Sequence, residues 1–201
     1  SWCLVFEKPG NFLLGQDPVE YPNVIYAALD RLDGSLIEAA EVSGAFATIT
    51  QDGQPAAKLD PEGIAIAADG GFWIASEGNP EREKNKTNSL LLKVSADGAI
   101  EKTYPMPEAI LSQAKRFGFE GVAVMGSGDE EVVLVAFQRE WTGDGKGVVR
   151  LGEYRPADDE WKFHWYPLDE REAIAGWVGL SEIVHVGDRR FHVLERDNQG
   201  G

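Results

Sequence analysis

Pro61-Glu62-Gly63-Ile64-Ala65-Ile66 decides how this chain is read, because the segment recurs. Phe119-Glu120-Gly121-Val122-Ala123-Val124 repeats it, and Ser181-Glu182-Ile183-Val184-His185-Val186 repeats it again. Each glutamate opens a short apolar run. A polar turn follows, then a second apolar run that ends on Glu77, Gln138 or Glu195. The glutamates are spaced roughly 60 residues apart, and self-similarity at a fixed period of this size marks stacked or circular modules. One acidic side chain therefore falls at the same point of each module.

A second repeat interleaves with the first. Val24-Ile25-Tyr26 leads through Asp33-Gly34 to Leu36-Ile37, and Leu90-Leu91-Leu92 leads through Asp97-Gly98 to Ala99-Ile100. Val148-Val149-Arg150-Leu151 leads through Asp158-Asp159 to Trp161-Lys162-Phe163. Asp-Gly between apolar runs is a strong hairpin signal. Each module is thus two hairpins, or four strands. At the N-terminus Leu4-Val5-Phe6 and Phe12-Leu13-Leu14 read as the first hairpin of a further module, with Gln16-Asp17 at the position of Glu77.

Four antiparallel strands per module predict an all-β chain, a β-propeller of four-stranded antiparallel blades. The sequence holds about 3.5 such modules, so residues 1–201 read as one propeller domain with an incomplete ring that continues beyond the C-terminus. The innermost strand of each blade is expected to be the most buried, with Ile64-Ala65-Ile66 and Val122-Ala123-Val124 in that place. Glu101-Lys102-Thr103-Tyr104 and Lys162-Phe163-His164-Trp165 alternate in the manner of half-exposed outer strands. Short helices are expected over Glu108–Arg116, after Pro107, and over Asp169–Ala175.

Composition narrows the function. The formal net charge of −15 excludes a nucleic-acid-backbone binder, which needs clustered Lys and Arg. No apolar stretch approaches the roughly 20 residues of a membrane helix, and no basic leader precedes the first strand. A single cysteine, Cys3 between Trp2 and Leu4, forms no intrachain disulfide and reads as a buried thiol.

Several of these segments resemble a known family. Leu59-Asp60-Pro61-Glu62-Gly63-Ile64-Ala65, Phe72-Trp73-Ile74-Ala75-Ser76-Glu77, Gly118-Phe119-Glu120-Gly121-Val122-Ala123, Gly179-Leu180-Ser181-Glu182-Ile183 and Leu194-Glu195-Arg196-Asp197-Asn198 look like the phytase-like domain, "esterase-like activity of phytase". The resemblance implies a β-propeller, an exported bacterial protein (secreted or periplasmic) and a phosphoester or ester hydrolase acting on a small anionic or ester substrate. The Asp-Asp-Pro-Ala-type motif of the alkaline phytases does not occur, so the resemblance does not extend to phytate.

Strand geometry gathers Glu62, Glu120, Glu182, Glu77, Gln138, Glu195 and Asp17 at one mouth of the propeller channel. Like charges this close raise one another's pKa unless a cation neutralises them. Calcium, which takes six to eight oxygens, is the expected ion. Glu62, Glu120 and Glu182 are the expected metal ligands. Glu77 and Glu195 are second ligands or acid/base groups, and Arg196, with Arg139, orients an anionic substrate. A structural role suits the same glutamates: accepting backbone N–H groups of the next module, with Gly63 and Gly121 permitting the approach. No Gly-x-Ser-x-Gly elbow occurs. His164, His185 and His192 sit in expected strands as surface or packing residues. The tryptophans read as inter-blade packing, and Gly143-Asp144-Gly145-Lys146-Gly147 as a strand connection. Two alternatives stand beside the hydrolase. One is a lactonase resembling the gluconolactonase propellers, with Glu62 and Asn198 as ligands. The other is a non-catalytic binding or scaffold module.

Overall fold

The computed structural model describes residues 2–6, 24–29, 46–169 and 176–197, with side chains from Thr48 onward. Gln16, Asp17, Phe12–Leu14, Asn198 and nearly all of the Asp169–Ala175 segment lie outside the described residues, as does the side chain of Cys3.

Strands β1 (Trp2–Phe6), β2 (Val24–Leu29) and β3 (Phe46–Thr48) form one antiparallel sheet in chain order. A minimal hairpin follows, β4 (Thr50–Gln51) and β5 (Gln54–Pro55), around Asp52-Gly53. Both turn residues have positive φ, as the right-handed twist of a two-residue hairpin demands. The first four-stranded meander is β6 (Pro61–Ile66), β7 (Phe72–Ser76), β8 (Leu90–Val94) and β9 (Ile100–Pro105). The second is β10 (Phe119–Met125), β11 (Val132–Phe137), β12 (Val148–Arg155) and β13 (Glu160–Pro167). The antiparallel pair β14 (Val178–Gly187) and β15 (Arg190–Asp197) opens the next module. Among the described residues, helix is confined to α1 (Glu108–Leu111) and a 3-10 turn at Gly128–Glu130.

The leading strands stand in a row. β6 packs beside β1 and β10, and β10 beside β14. Successive blades about an axis are arranged this way, and no ring closure occurs among the described residues. The sheets meet face to face through side chains that alternate along each strand. On β7, Trp73 and Ala75 join Phe119, Val122, Val135, Phe137 and Tyr154 in the core between the two meanders. Ile74, between them in sequence, points into a separate core with Ile49, Leu92 and Val94. On β11, Val133, Val135 and Phe137 face the first meander, while Val132, Leu134 and Ala136 pack with Leu180 and Ile183 of β14. Two tryptophans bridge the meanders: Trp73 lies 6.3 Å from the Tyr154 ring, while its 5.2 Å contact with Tyr104 is within its own sheet. Trp161 Nε1 donates to the Pro105 carbonyl across the same boundary at 3.1 Å.

Some features differ from the sequence expectation. β1 pairs directly with β2, Val5 opposite Ile25, so the run at Val24 neighbours the first strand instead of being separated from it by a second. Burial is greatest in the middle strands: β11 is buried end to end, whereas Ile66 at the end of β6 is 47% exposed. A middle strand has neighbours on both edges and both faces, while a leading strand has an in-sheet partner on one edge only. Finally, α1 ends at Leu111, well short of Arg116, and the chain then turns back through Phe117, whose φ is positive. The expected outer-strand alternation holds in β13 only from Glu160 to His164: Trp165 is largely exposed, and in β9 Glu101, Lys102 and Thr103 are all exposed.

Candidate functional site

The repeated glutamates sit on repeated irregularities. Between β6 and β7, Pro61 faces Ser76 and Gly63 faces Ala75, so Glu62 is an extra residue. Between β10 and β11, Phe119 faces Phe137 and Val122 faces Val135, leaving Glu120 and Gly121 opposite Ala136 alone. Between β14 and β15, Leu180 faces Glu195 and Glu182 faces Leu194, with Ser181 extra. A bulge bends its strand and re-aims the bulged side chain, and bulges are enriched beside functional sites. Here each sits where neighbouring leading strands touch. A Cβ on Gly63 would lie 2.3 Å from the Glu120 carbonyl oxygen, and one on Gly121 would lie 2.5 Å from the Ile183 nitrogen. The Glu-Gly pair thus records a close backbone approach between blades as well as an acidic side chain.

In the first meander the bulge assembles three carboxylates. One oxygen from each of Asp60, Glu62 and Glu77 lies within 4.8 Å of the others, and all three residues are half-buried. Asp60 precedes the bulge, and its carbonyl accepts the Glu77 N–H at 2.7 Å, which sets the two residues side by side. Glu77 Oε1 accepts the Gly118 N–H at 2.8 Å, tying this blade to the next and fixing that carboxylate. The donor set suits a hard cation. Two oxygens held by one calcium at about 2.3–2.6 Å lie no more than about 5 Å apart, so the three acids can share an ion without moving the backbone.

The equivalent positions of the other modules do different work. Glu120 is buried and accepts a hydrogen bond from Gln138 Nε2, while Gln138 Oε1 is buried with no hydrogen-bond partner among the described residues. Arg196 reaches across from β15, its Nη2 3.8 Å from Glu120 Oε1 and its Nε donating to Ser181 Oγ at 3.1 Å. Arg139 and Arg196 both lie over the Trp177 ring, 4.7 and 5.6 Å from its centroid. Glu182 accepts the Ile183 N–H at 2.8 Å and the Val122 N–H of the neighbouring blade. Burial pushes its carboxyl above the usual range, against the lowering effect of those N–H groups. Glu195 accepts from Tyr166 Oη at 2.8 Å and from the Asp169 N–H at 3.0 Å. Burial, then the Glu195 bond, push the Tyr166 phenol up to about 12.

Of the residues singled out from sequence, the fold therefore brings Glu62 and Glu77 together with Asp60, and Glu120 together with Gln138 and Arg196. Glu182 and Glu195 are engaged at the next blade boundary. Asp60 was given no role from the repeat because its counterparts are Gly118 and Leu180. The local signal was Asp60-Pro61-Glu62, two acids flanking a strand start. The histidines make ordinary contacts: His164 Nε2 lies 3.0 Å from Glu153, and His185 Nε2 lies 2.9 Å from the Asp188 carbonyl.

Blade-like meanders with a carboxylate cluster at a bulged strand entrance define an all-β protein. A family model, Phytase-like, described as "esterase-like activity of phytase", matches residues 4–201, and the chain belongs to that family. Membership points to a hydrolase-type function. No curated protein and no solved structure matches the chain.

Proposed function

We propose that this protein is a cation-assisted ester hydrolase of an exported compartment, acting on phosphoesters, with Asp60, Glu62 and Glu77 holding a calcium-like ion. The observation that carries this reading is the approach of three carboxylate oxygens to within 4.8 Å of one another. Three like charges at that spacing repel unless a cation neutralises them. When bound, such an ion polarises a phosphoryl or carbonyl oxygen and makes a bound water more acidic.

The chain's own residues supply orientation. The Gly118 N–H holds Glu77 in place. Arg196, braced by Ser181 Oγ and Glu120 and stacked on Trp177, presents a guanidinium whose fork matches an anionic ester. Glu195 positions the strand end that carries Arg196 through its bonds to Tyr166 and Asp169. The orphaned Gln138 Oε1 beside Glu120 is a further oxygen donor of the kind calcium accepts.

Calorimetric titration with Ca²⁺ tests the reading. Binding is expected in the parent and lost in Asp60→Asn and Glu62→Gln. At a calcium concentration one hundred times the dissociation constant, the ion stabilises the fold by about 2.7 kcal/mol. For a chain of this size that raises Tm by roughly 5–10 °C over the chelated protein. Absence of binding heat, together with a melting temperature indifferent to chelator, overturns the proposal.

A further inference from the structure

After β7 the chain leaves the sheet at Glu77, one of the three clustered carboxylates, and re-enters it at Leu90. The loop between them is pinched at its base and unattached at its tip. At the base the Gly78 N–H donates to Ser89 Oγ at 3.2 Å, and the Asn79 N–H donates to Thr87 Oγ1 at 2.9 Å. A Cβ on Gly78 would lie 2.2 Å from the Ser89 nitrogen, so the two legs touch. Beyond this neck, residues 80–86 make no hydrogen bond or ion pair among the described residues, and residues 81–86 are exposed. Loops with adjoining ends and an exposed tip are frequently functional. A tip without attachments has the low local stability that a moving element needs.

Glu81, on this tip, shares a cleft of about 660 Å³ with Lys115 and Arg116 of the loop after α1. All three are exposed, and no ion pair joins Glu81 to either cation. The other charged walls are fixed. Asp144 accepts the Trp141 N–H at 2.8 Å and pairs with Arg150 at 2.5 Å, with both side chains buried. Glu140 accepts the Gly147 N–H at 2.9 Å and pairs with Arg139 at 3.2 Å. Arg116 is steadied by the Phe117 ring 4.8 Å away, and Phe117 lies 5.4 Å from Trp177. The unattached segment is therefore the one that carries Glu81, and its charge is opposite to that of the cations it shares the cleft with. The other charged residues of the tip, Arg82, Glu83, Lys84 and Lys86, do not line the cleft.

We propose that residues 80–86 form a lid, hinged at the Asn79–Thr87 neck, that closes the cleft by bringing Glu81 onto Lys115 and Arg116. Hinges of this kind are a few residues at the end of an element that absorb the change in backbone angle. Closure removes water from a cleft that leads through Phe117 to Gly118, whose N–H is held by Glu77. Exposed ion pairs are weak and screened by salt, so the lid is poised between two states and is not latched in one. What the lid covers rests on the function proposed above, because Glu77 directly precedes the loop. The closure itself does not.

Double electron–electron resonance on the full chain reads the motion. Spin labels are placed at Lys84→Cys and Lys146→Cys, neither of which lines the cleft, in a Cys3→Ser background. At about 10 mM salt, where charges act over about 30 Å, a shorter-distance population is expected beside that of the open lid. At about 1 M salt, where screening sets in at about 3 Å, the shorter population should largely vanish. Glu81→Gln should lower the short-to-long ratio at low salt by about two- to fivefold, the range of an exposed ion pair. Combining Glu81→Lys with Lys115→Glu and Arg116→Glu should restore it, which a loss of packing at these exposed positions would not. Chelator is present throughout, so the result is independent of whether Asp60, Glu62 and Glu77 hold an ion. A single distance indifferent to salt, an unchanged ratio in Glu81→Gln, or no recovery in the charge swap overturns the inference.

Discussion

Replacing Gly63 with alanine tests the packing on which the site depends. The added Cβ would meet the Glu120 carbonyl oxygen at 2.3 Å, the Val122 nitrogen at 2.9 Å and the Gly121 carbonyl carbon at 3.0 Å. All three are backbone atoms of β10, so no side-chain rotation relieves the contact. Ordinary separation requires β6 and β10 to part by roughly 1 Å, which opens the core containing Trp73, Phe119 and Val122. Overpacking of this kind costs about 1–3 kcal/mol. A rigid backbone obstacle puts Gly63→Ala at the upper end, near 3 kcal/mol. Gly63 does not have positive φ, so alanine also stiffens the unfolded chain and returns about 0.4–1 kcal/mol. The net loss is about 2–2.6 kcal/mol. Urea unfolding followed by tryptophan fluorescence reads this as a midpoint lowered by roughly 1 M, for a slope near 2–3 kcal/mol per molar. Gly145→Ala is the control, because its Cβ would meet nothing nearer than Val148 Cγ2 at 3.8 Å. If Gly63→Ala falls within about 0.5 kcal/mol of the parent, the leading strands do not approach as described, and the assembly of the acidic trio loses its basis.

Glu182 predicts a pH signature. Burial raises its pKa above 4.5 in the fold, so its contribution to stability is fully present below that value and is lost as pH rises through the raised pKa. Glu182→Gln keeps an acceptor oxygen for Val122 and Ile183 but never ionises. Its stability relative to the parent should therefore grow as pH is raised above 4.5 and then level off; a difference independent of pH in urea titrations would contradict the assignment. The Asp144–Arg150 pair, with side chains 0% and 4% exposed, predicts a large truncation effect. Asp144→Ala leaves a buried guanidinium unpaired and should cost about 3–5 kcal/mol. The double variant with Arg150→Met should recover much of that loss, and a cost below about 1 kcal/mol for Asp144→Ala would refute this reading of the cleft wall.

Much of the fold was legible because it is local. The apolar runs, the Asp-Gly turn at Gly98 and the alternation of β13 from Glu160 to His164 each depend on neighbours a few residues away, and each appears where the repeat places it. Register made the rest illegible. The equivalence of Glu77, Gln138 and Glu195 is correct in the pairing, since they face Asp60, Gly118 and Leu180. Yet the same repeat hid Asp60, whose counterparts carry no charge. The short hairpin at Gln51–Gln54 carried an Asp-Gly signal that a reading built on longer runs passed over.

From sequence alone follow the strand type, the module period and the placing of one glutamate at each strand entrance, because periodicity and turn chemistry are written in adjacent residues. Tertiary structure decided which acids share space. A single bulge residue chooses the direction of a side chain, and contact between blades chooses its partner. Hence Glu62 meets Asp60 and Glu77, Glu120 meets Gln138 and Arg196, and Glu182 turns to the backbone of the blade before it. Side chains of one type at one repeat position diverge because their surroundings come from residues about 60 positions away, beyond the reach of any local pattern.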